Sequence, residues 1–409
     1  MKAPSHEASA RNTNGPAGES FWSRFVRVTS KATCQRSETI FDEKSSANRY
    51  ALLDLLRFAA CVMVLFWHYV HFFYAEPGVP VSGWASSQQP FYRQFPLFYQ
   101  YGGLGVQVFW TLSGFVFFAL FSLKIGNREL TAKRFAVDRF SRLYPLHVFS
   151  LLAVCFLVWL FRLRIGNDGI YPCNDMYHFI LNLCFVPYVL PHQGWSFNAP
   201  VWSVSLELIA YVIFFVFARW CKPTVFKVGC MAAVFALLKP WPESFPSGKE
   251  INQCLFFFFS GGGIFLLLRT CSRHVHALAV YLLLVAAGGW LCASGMAAAV
   301  CTRLGLHWLS GWILFFVLLG SFPFSLPGPL TSVCVHLGNL TYAVYMLHVS
   351  MQLSMMFVMK VIMGKSAASI AVSPWFFLFY LATVLAVAEV VYRYFELPAK
   401  LRLCGLLSD

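Results

Sequence analysis

Charge is scarce in this chain. Only 12% of its 409 residues are Asp, Glu, Lys or Arg, where an ordinary soluble domain carries about 25%. Acidic residues are the scarcer kind, 17 against 31 Lys and Arg. That deficit excludes a soluble globular enzyme with a hydrated surface. Paired cysteines are also missing. None of the thirteen cysteines forms a C-x-x-C pair, and Cys61, Cys155, Cys184, Cys230 and Cys334 fall inside apolar runs. Cysteine there acts as a small hydrophobe, so neither a disulfide framework nor a zinc site is expected. Cys173, Cys292 and Cys301 lie near the predicted outer loops, where a bridge stays open. There is no H-E-x-x-H, no G-x-S-x-G and no dinucleotide fingerprint, and no metal is expected. Residues 1–48 are polar and lack the apolar stretch of a secretory signal. They read as a mobile cytoplasmic tail.

What is present is apolar: 58% of the chain. Long runs fall near 51–74, 103–123, 143–163, 200–218, 225–239, 251–269, 276–294, 304–322, 333–360 and 372–393. The pattern predicts an all-α, polytopic membrane bundle of about ten spans over residues 49–400, followed by a short tail at 401–409. Basic clusters set its orientation. Lys124 to Arg142, Arg219 to Lys227, Arg269 with Arg273, and Arg393 to Arg402 all fall on one side if both termini are cytoplasmic. The net charge of +14 then reflects this bias and anionic lipid rather than nucleic acid. The segment 176–190 is apolar but reaches only about 22 Å as a helix. Residues 170–199 are therefore expected to form an outer loop with a re-entrant or interfacial helix.

Ionisable residues inside such runs cost about 2.5 kcal/mol or more each, so their placement is informative. Arg57 and His68 are eleven residues apart in the first run, which puts them on one helix face about 16 Å apart. His68 could accept a proton near neutral pH. Alternatively, it hydrogen-bonds a neighbouring helix, and His71 shows that the segment tolerates such residues. Arg57 could hold phosphate or a carbonyl, or simply pair with Asp54 three residues earlier. Arg139 and Arg142 form an R-x-x-R that suits the phosphates of a nucleotide-bearing donor or merely carries positive-inside charge. Glu207 lies several residues into the fourth run, with Ser203 on its face and Trp202 beside it. It must be protonated, paired or solvated. Thr341, Tyr345 and His348 share a face in the ninth run, lining a cavity or bonding between helices. Glu396, near the end of the last run, could pair with an inner-surface arginine.

Taken together, these segments resemble the acyltransferase-3 family of integral membrane acyltransferases. The resemblance rests on six motifs in order. They are the R-x10-H from Arg57 to His68, Val108-FWTLSGFVF-Phe117, Arg139-FSRLYPLH-His147, Trp202-SVSLE-Glu207, Thr341-YAVYMLH-His348 and the F-E-x-P from Phe395 to Pro398. They span nearly the whole apolar region. Trp110, where a small or aliphatic residue is more usual, departs from the pattern, and the N-terminal tail has no counterpart in it.

The resemblance implies acyl transfer, usually acetyl, from cytoplasmic acetyl-CoA to a carbohydrate or glycolipid hydroxyl, in a bacterial inner membrane. It implies His68, with Arg57 and Glu207, as catalytic. Arg57, Arg139, Arg142, Ser113 and Tyr144 would contact the donor. Trp202, Ser203, Tyr345, His348 and Glu396 would line the acceptor side or cavity. A transporter or flippase of a lipid-linked glycan is the rival reading, since it also needs many spans and a polar cavity. A membrane scaffold without chemistry is the third.

Overall fold

The computed structural model describes residues 43–238, 248–271, 276, 278–280, 310–321 and 326–408. Helices α1 (Glu43–His68), α2 (Pro96–Tyr101), α3 (Gly105–Leu120), α4 (Ser122–Gly126) and α5 (Ala132–Arg164) open the fold. They are followed by α6 (Met176–Leu183), α7 (Val201–Trp220), α8 (Val225–Leu237), α9 (Gly248–Thr270) and α10 (Ser310–Gly320). Helices α11 (Gly328–Phe357), α12 (Ala367–Ala371), α13 (Pro374–Val391) and α14 (Leu397–Ser408) close it. The described strands are β1 (Tyr74–Glu76) and β2 (Val79–Pro80), a small antiparallel hairpin turned at Gly78, whose φ of +76° favours glycine.

Among the described residues, seven helical segments are long and apolar enough to cross a membrane: Ala51–Phe73, Pro96–Leu120, Ala132–Arg164, Val201–Trp220, Gly248–Thr270, Gly328–Ile362 and Pro374–Leu407. The expected run at 225–239 is the 13-residue α8, about 20 Å long and too short to span unaided. The run at 304–322 is represented by the 11-residue α10, and most of 276–294 lies outside the described residues. Helix α6 has only eight residues; it cannot cross, as its limited apolar length implied. Two boundaries move. Helix α1 begins at Glu43, inside the segment read as tail, and 401–408 continues as helix in α14. Residues 1–42 of the expected tail lie outside the described residues.

Helix α5 is longer than its apolar run because Thr131 caps it, accepting a bond from the Arg134 amide at 3.3 Å. Its 33 residues extend about 50 Å, so Arg139 and Arg142 ride on a helical extension of a membrane span. Pro145 sits inside it, where the ring denies the backbone one intrahelical donor. Nearby, Tyr342 Oη of α11 donates to the Leu143 carbonyl at 2.7 Å.

Helix α1 packs between α3 and α11, and α9 packs along α3 and α8. The α3–α9 contact is backbone on backbone. A Cβ at Gly114 would collide with the Phe258 carbonyl, and one at Gly261 with the Thr111 carbonyl. The glycine triplet at 261–263 thus provides a close-packing site. Phenylalanines fill the space around it. Phe117, Phe118, Phe135, Phe214 and Phe258 pack mostly edge to face, and Phe117 stacks on Tyr211 at 4.2 Å.

The loop after α5 is held by polar bonds. Arg162 grips both oxygens of Asp168 at 2.5 and 2.8 Å and the Asn174 carbonyl at 2.7 Å. Asn174 Oδ1 accepts from the Phe197 amide. Asn198 donates to Ser150 Oγ at 2.9 Å and to the Met346 carbonyl at 3.0 Å, tying the loop's end to α5 and α11. Asp175 caps α6; bonds from the His178 backbone and ring hold its carboxyl below the usual range.

Two outcomes follow from this packing. Replacing Gly114 or Gly261 with valine should lower stability by about 1–3 kcal/mol or more through overpacking. Gly263→Ala, whose Cβ would lie an ordinary 3.9 Å from Val228, should leave stability unchanged. Thermal unfolding in detergent reads both, and equal effects at the three positions would refute the backbone contact. Arg162→Ala removes hydrogen bonds to a charged group worth about 1.5–3 kcal/mol. Amide exchange across 173–197 should then accelerate about tenfold or more, while Arg164→Ala leaves it unchanged.

Candidate functional site

Two cavities open in the bundle, and most of the predicted residues divide between them. The first has about 900 Å³ of empty space including its open mouth. Arg57, Ser113, Arg139, Arg142, Ser203, Glu207, Thr341 and Tyr345 all line it. Five different helices supply these side chains. The i, i+4 spacing of Ser203 and Glu207 on α7 does put both on one wall.

Its electrostatics are unbalanced. Arg57 pairs with Asp54 at 2.7 Å, and both side chains remain about a quarter exposed. Gly338 of α11 lies against Asp54, where a Cβ would come within 2.6 Å of the Asp54 Cβ. Glu207 accepts from Tyr211 Oη at 2.6 Å and meets the Ser113 side chain. Arg139 lies over Phe117 and Phe121, 5.3 and 5.0 Å from the ring centroids, a cation–π cradle. Its Nε is buried with no partner among the described residues. Arg142 is exposed. Three guanidinium groups thus share one cavity with Glu207 and the Asp54 that Arg57 engages. An anion is the ligand class that such a surplus fits.

The second cavity has about 1300 Å³ of empty space, again including open solvent. His68 lines it with His71, Trp67, Trp84, Tyr99, Tyr171, Trp195 and Trp202. Tyr188 stacks on Trp195 at 5.0 Å, and its hydroxyl is pushed up to about 12 by burial. Broad aromatic faces interspersed with Ser86, Gln89 and Gln100 suit an amphipathic ligand that is both stacked and hydrogen-bonded.

The cavities meet across the first turn of α7. Pro200 and Trp202 face the second, while Ser203 and Val204 face the first. Ser203 Oγ and Tyr345 Oη share a 2.8 Å hydrogen bond, and Tyr345 Oη lies 3.0 Å from the Pro200 carbonyl. Trp110, the residue that departs from the motif, is buried in this wall. It donates to the Ser203 carbonyl at 3.3 Å and packs edge to face on Trp202.

Three histidines meet beside the second cavity, His68 and His71 in its lining and His348 buried behind them. His348 Nε2 is 3.1 Å from His68 Nδ1, and His348 Nδ1 is 2.6 Å from the Tyr345 carbonyl. Gln352 donates to the His68 carbonyl at 3.0 Å, and its Oε1 lies 2.8 Å from His71 Nδ1.

Three predicted residues are not brought to either cavity lining: His348, which is buried behind His68, Tyr144 and Glu396. Tyr144 stacks on Phe140 at 4.3 Å and turns toward Phe185. Glu396 is buried, with Oε2 unpartnered among the described residues and Arg142 and Lys400 as its nearby positive charges. Trp202 separates from Ser203 because adjacent helical positions point about 100° apart. Sequence reasoning missed Tyr211 and Gln352, although each lies four residues after a residue it did single out, Glu207 and His348. Trp195 and Tyr171 come from a loop and carried no periodic signal.

The geometry can be set beside known proteins. A family model described as an acyltransferase domain, acyltransferase-3, matches residues 50–393. "Protein 2 in picA locus" of Rhizobium radiobacter is 29% identical over 210 residues, covering 48% of this chain and 95% of that protein. No solved structure matches. All of the sequence motifs except the C-terminal F-E-x-P, and every residue lining the two cavities, fall within the matched region. The chain belongs to the acyltransferase-3 family of membrane acyltransferases.

Proposed function

We propose that this protein is a membrane O-acyltransferase that moves an acetyl group from cytoplasmic acetyl-CoA to a hydroxyl of a carbohydrate or glycolipid, in a bacterial inner membrane. The observation that carries the reading is the meeting of an arginine-lined cavity and an aromatic, histidine-lined cavity across one turn of α7.

The first cavity suits the donor. CoA is a polyanion, and Arg139 and Arg142 offer guanidinium groups to its phosphates. Lys124, Lys133 and Arg134 lie near these arginines in the chain, and the positive-inside bias assigns that end to the cytoplasm. The second cavity suits the acceptor. Sugar rings present C–H faces that pack on Trp and Tyr, and hydroxyls that Gln89, Gln100 and Ser86 would bond. Arg57 lines the donor cavity and His68 the acceptor cavity, separated by about 16 Å along one helix. A donor arm reaching from the arginines past Ser203 and Tyr345 would bring the thioester toward His68.

The chemistry balances without a metal or redox step. His68 takes the proton of the acceptor hydroxyl, the hydroxyl oxygen attacks the thioester carbonyl, and the C–S bond breaks. The proton returns from His68 to the CoA sulfur. A transporter would need neither the Arg139 and Arg142 cluster nor a histidine at the acceptor cavity.

The test uses membranes carrying the full chain, radiolabelled acetyl-CoA and a total glycan and glycolipid extract. Wild type should transfer label into a sugar fraction. His68→Ala should lose about 10²–10⁴ of the rate. Arg139→Ala and Arg142→Ala should each raise the KM for acetyl-CoA about tenfold, and their kcat should fall less. Trp195→Ala should raise the apparent KM for the acceptor alone. Equal label from wild type and His68→Ala would remove the histidine from the chemistry, and no label from a folded wild type would refute the donor and acceptor classes.

A further inference from the structure

The two nitrogens of His68 are not equivalent, and only one can be the base. We propose that His348 is a positioning residue that forces His68 into the Nδ1–H tautomer and so leaves Nε2 with the lone pair that takes the acceptor's proton. The proposal rests on the reading of His68 as the base.

A backbone carbonyl fixes the first tautomer. His348 is fully buried on α11, and its Nδ1 lies 2.6 Å from the Tyr345 carbonyl oxygen. A carbonyl oxygen can only accept, so His348 Nδ1 carries a hydrogen. A neutral imidazole has one ring hydrogen, so His348 Nε2 is left with a lone pair. That lone pair faces His68 Nδ1 at 3.1 Å. His68 must therefore donate from Nδ1, and its own Nε2 is unprotonated.

The other assignments fail. With hydrogen on His68 Nε2, two lone pairs would face each other at 3.1 Å. Moving the His348 hydrogen to Nε2 instead would set a lone pair against the Tyr345 oxygen. Each error would leave a polar atom of the fully buried His348 without a partner.

A second set of bonds holds the dyad in place. Gln352, also fully buried, must donate from Nε2 to the His68 carbonyl. Its Oε1 is then the acceptor for His71 Nδ1, so His71 too is Nδ1–H and cannot be turned over freely. When His68 takes a proton at Nε2, its Nδ1–H still has His348 Nε2 to donate to, so the imidazolium keeps its hydrogen bond. The logic is that of a triad, in which a third group orients the base, but here the orienting group is neutral and its own tautomer is set by the main chain. During transfer the proton moves from the acceptor oxygen to His68 Nε2 and on to the leaving CoA sulfur, and the Nδ1 hydrogens do not move.

The test has two arms. In the first, the full chain is labelled with ring-¹⁵N,¹³C histidine, placed in lipid bilayers and read by solid-state NMR, with His68→Ala and His348→Ala spectra assigning the rings by difference. Both rings should be Nδ1–H in wild type, and the Nδ1–H fraction of His68 should fall in His348→Ala, where the Val64 carbonyl is the backbone acceptor left to the ring. A wild-type His68 found as Nε2–H overturns the proposal without reference to any activity. In the second arm, acetyl-CoA and the glycan extract serve as substrates. His348→Ala should lose about 10²–10⁴ in kcat with the KM for acetyl-CoA little changed. His348→Gln, whose amide oxygen reaches the place of the imidazole Nε2, should recover most of it. A wild-type kcat in His348→Ala beside an inactive His68→Ala overturns this proposal alone. A wild-type rate in His68→Ala overturns the base assignment, and this proposal with it. Absence of transfer by wild type counts against the proposed substrates, and the NMR arm then decides the tautomer.

Discussion

A polar group buried in a membrane bundle has only the protein to bond to. The chain from His68 through His348 and Tyr345 to Ser203 and the Pro200 carbonyl is the clearest expression of that constraint here. It ties α1, α7 and α11 together by directional bonds, where apolar packing alone would allow sliding. Both cavities are built against it. Loss of one link would leave the next polar atom unpaired at a cost of about 1–3 kcal/mol, so the wall between the cavities and the orientation of His68 stand or fall together.

Charge is organised by the same rule, with a different result. Asp54 engages Arg57, and Tyr211 and Ser113 engage Glu207. Arg139 rests on Phe117 and Phe121, and its Nε has no partner among the described residues. The aromatic cradle supports the cation without neutralising it, so its charge stays available to an anion. The phenylalanine-rich segment of α3 therefore serves packing and electrostatics at once. The close approach of Gly114 and Gly261 holds that segment against α9.

Hydropathy and spacing were sufficient for much of this. The all-helical membrane character, the inability of 176–190 to span, and the shared wall of Arg57, Ser203, Glu207, Thr341 and Tyr345 were legible because helical periodicity projects residues three or four apart onto one face. The family was legible from motif order. Spacing did not reveal that Trp202 faces the opposite cavity from Ser203, or that His348, Tyr144 and Glu396 stay out of both linings. Those outcomes depend on how helices rotate against one another, and rotation is set by contacts such as Trp110 on Trp202 that link distant positions.

By itself, then, the sequence determined the class of protein, its chemical family and the residues worth watching, since each follows from local composition and from order along the chain. Only the tertiary structure decided that most of those residues divide between two cavities, one cationic and one aromatic, and that His348 faces His68 across a separation of 280 positions. The physical reason is that hydrogen bonds and cavity walls are made between helices. No periodicity within one helix specifies which neighbour it will meet.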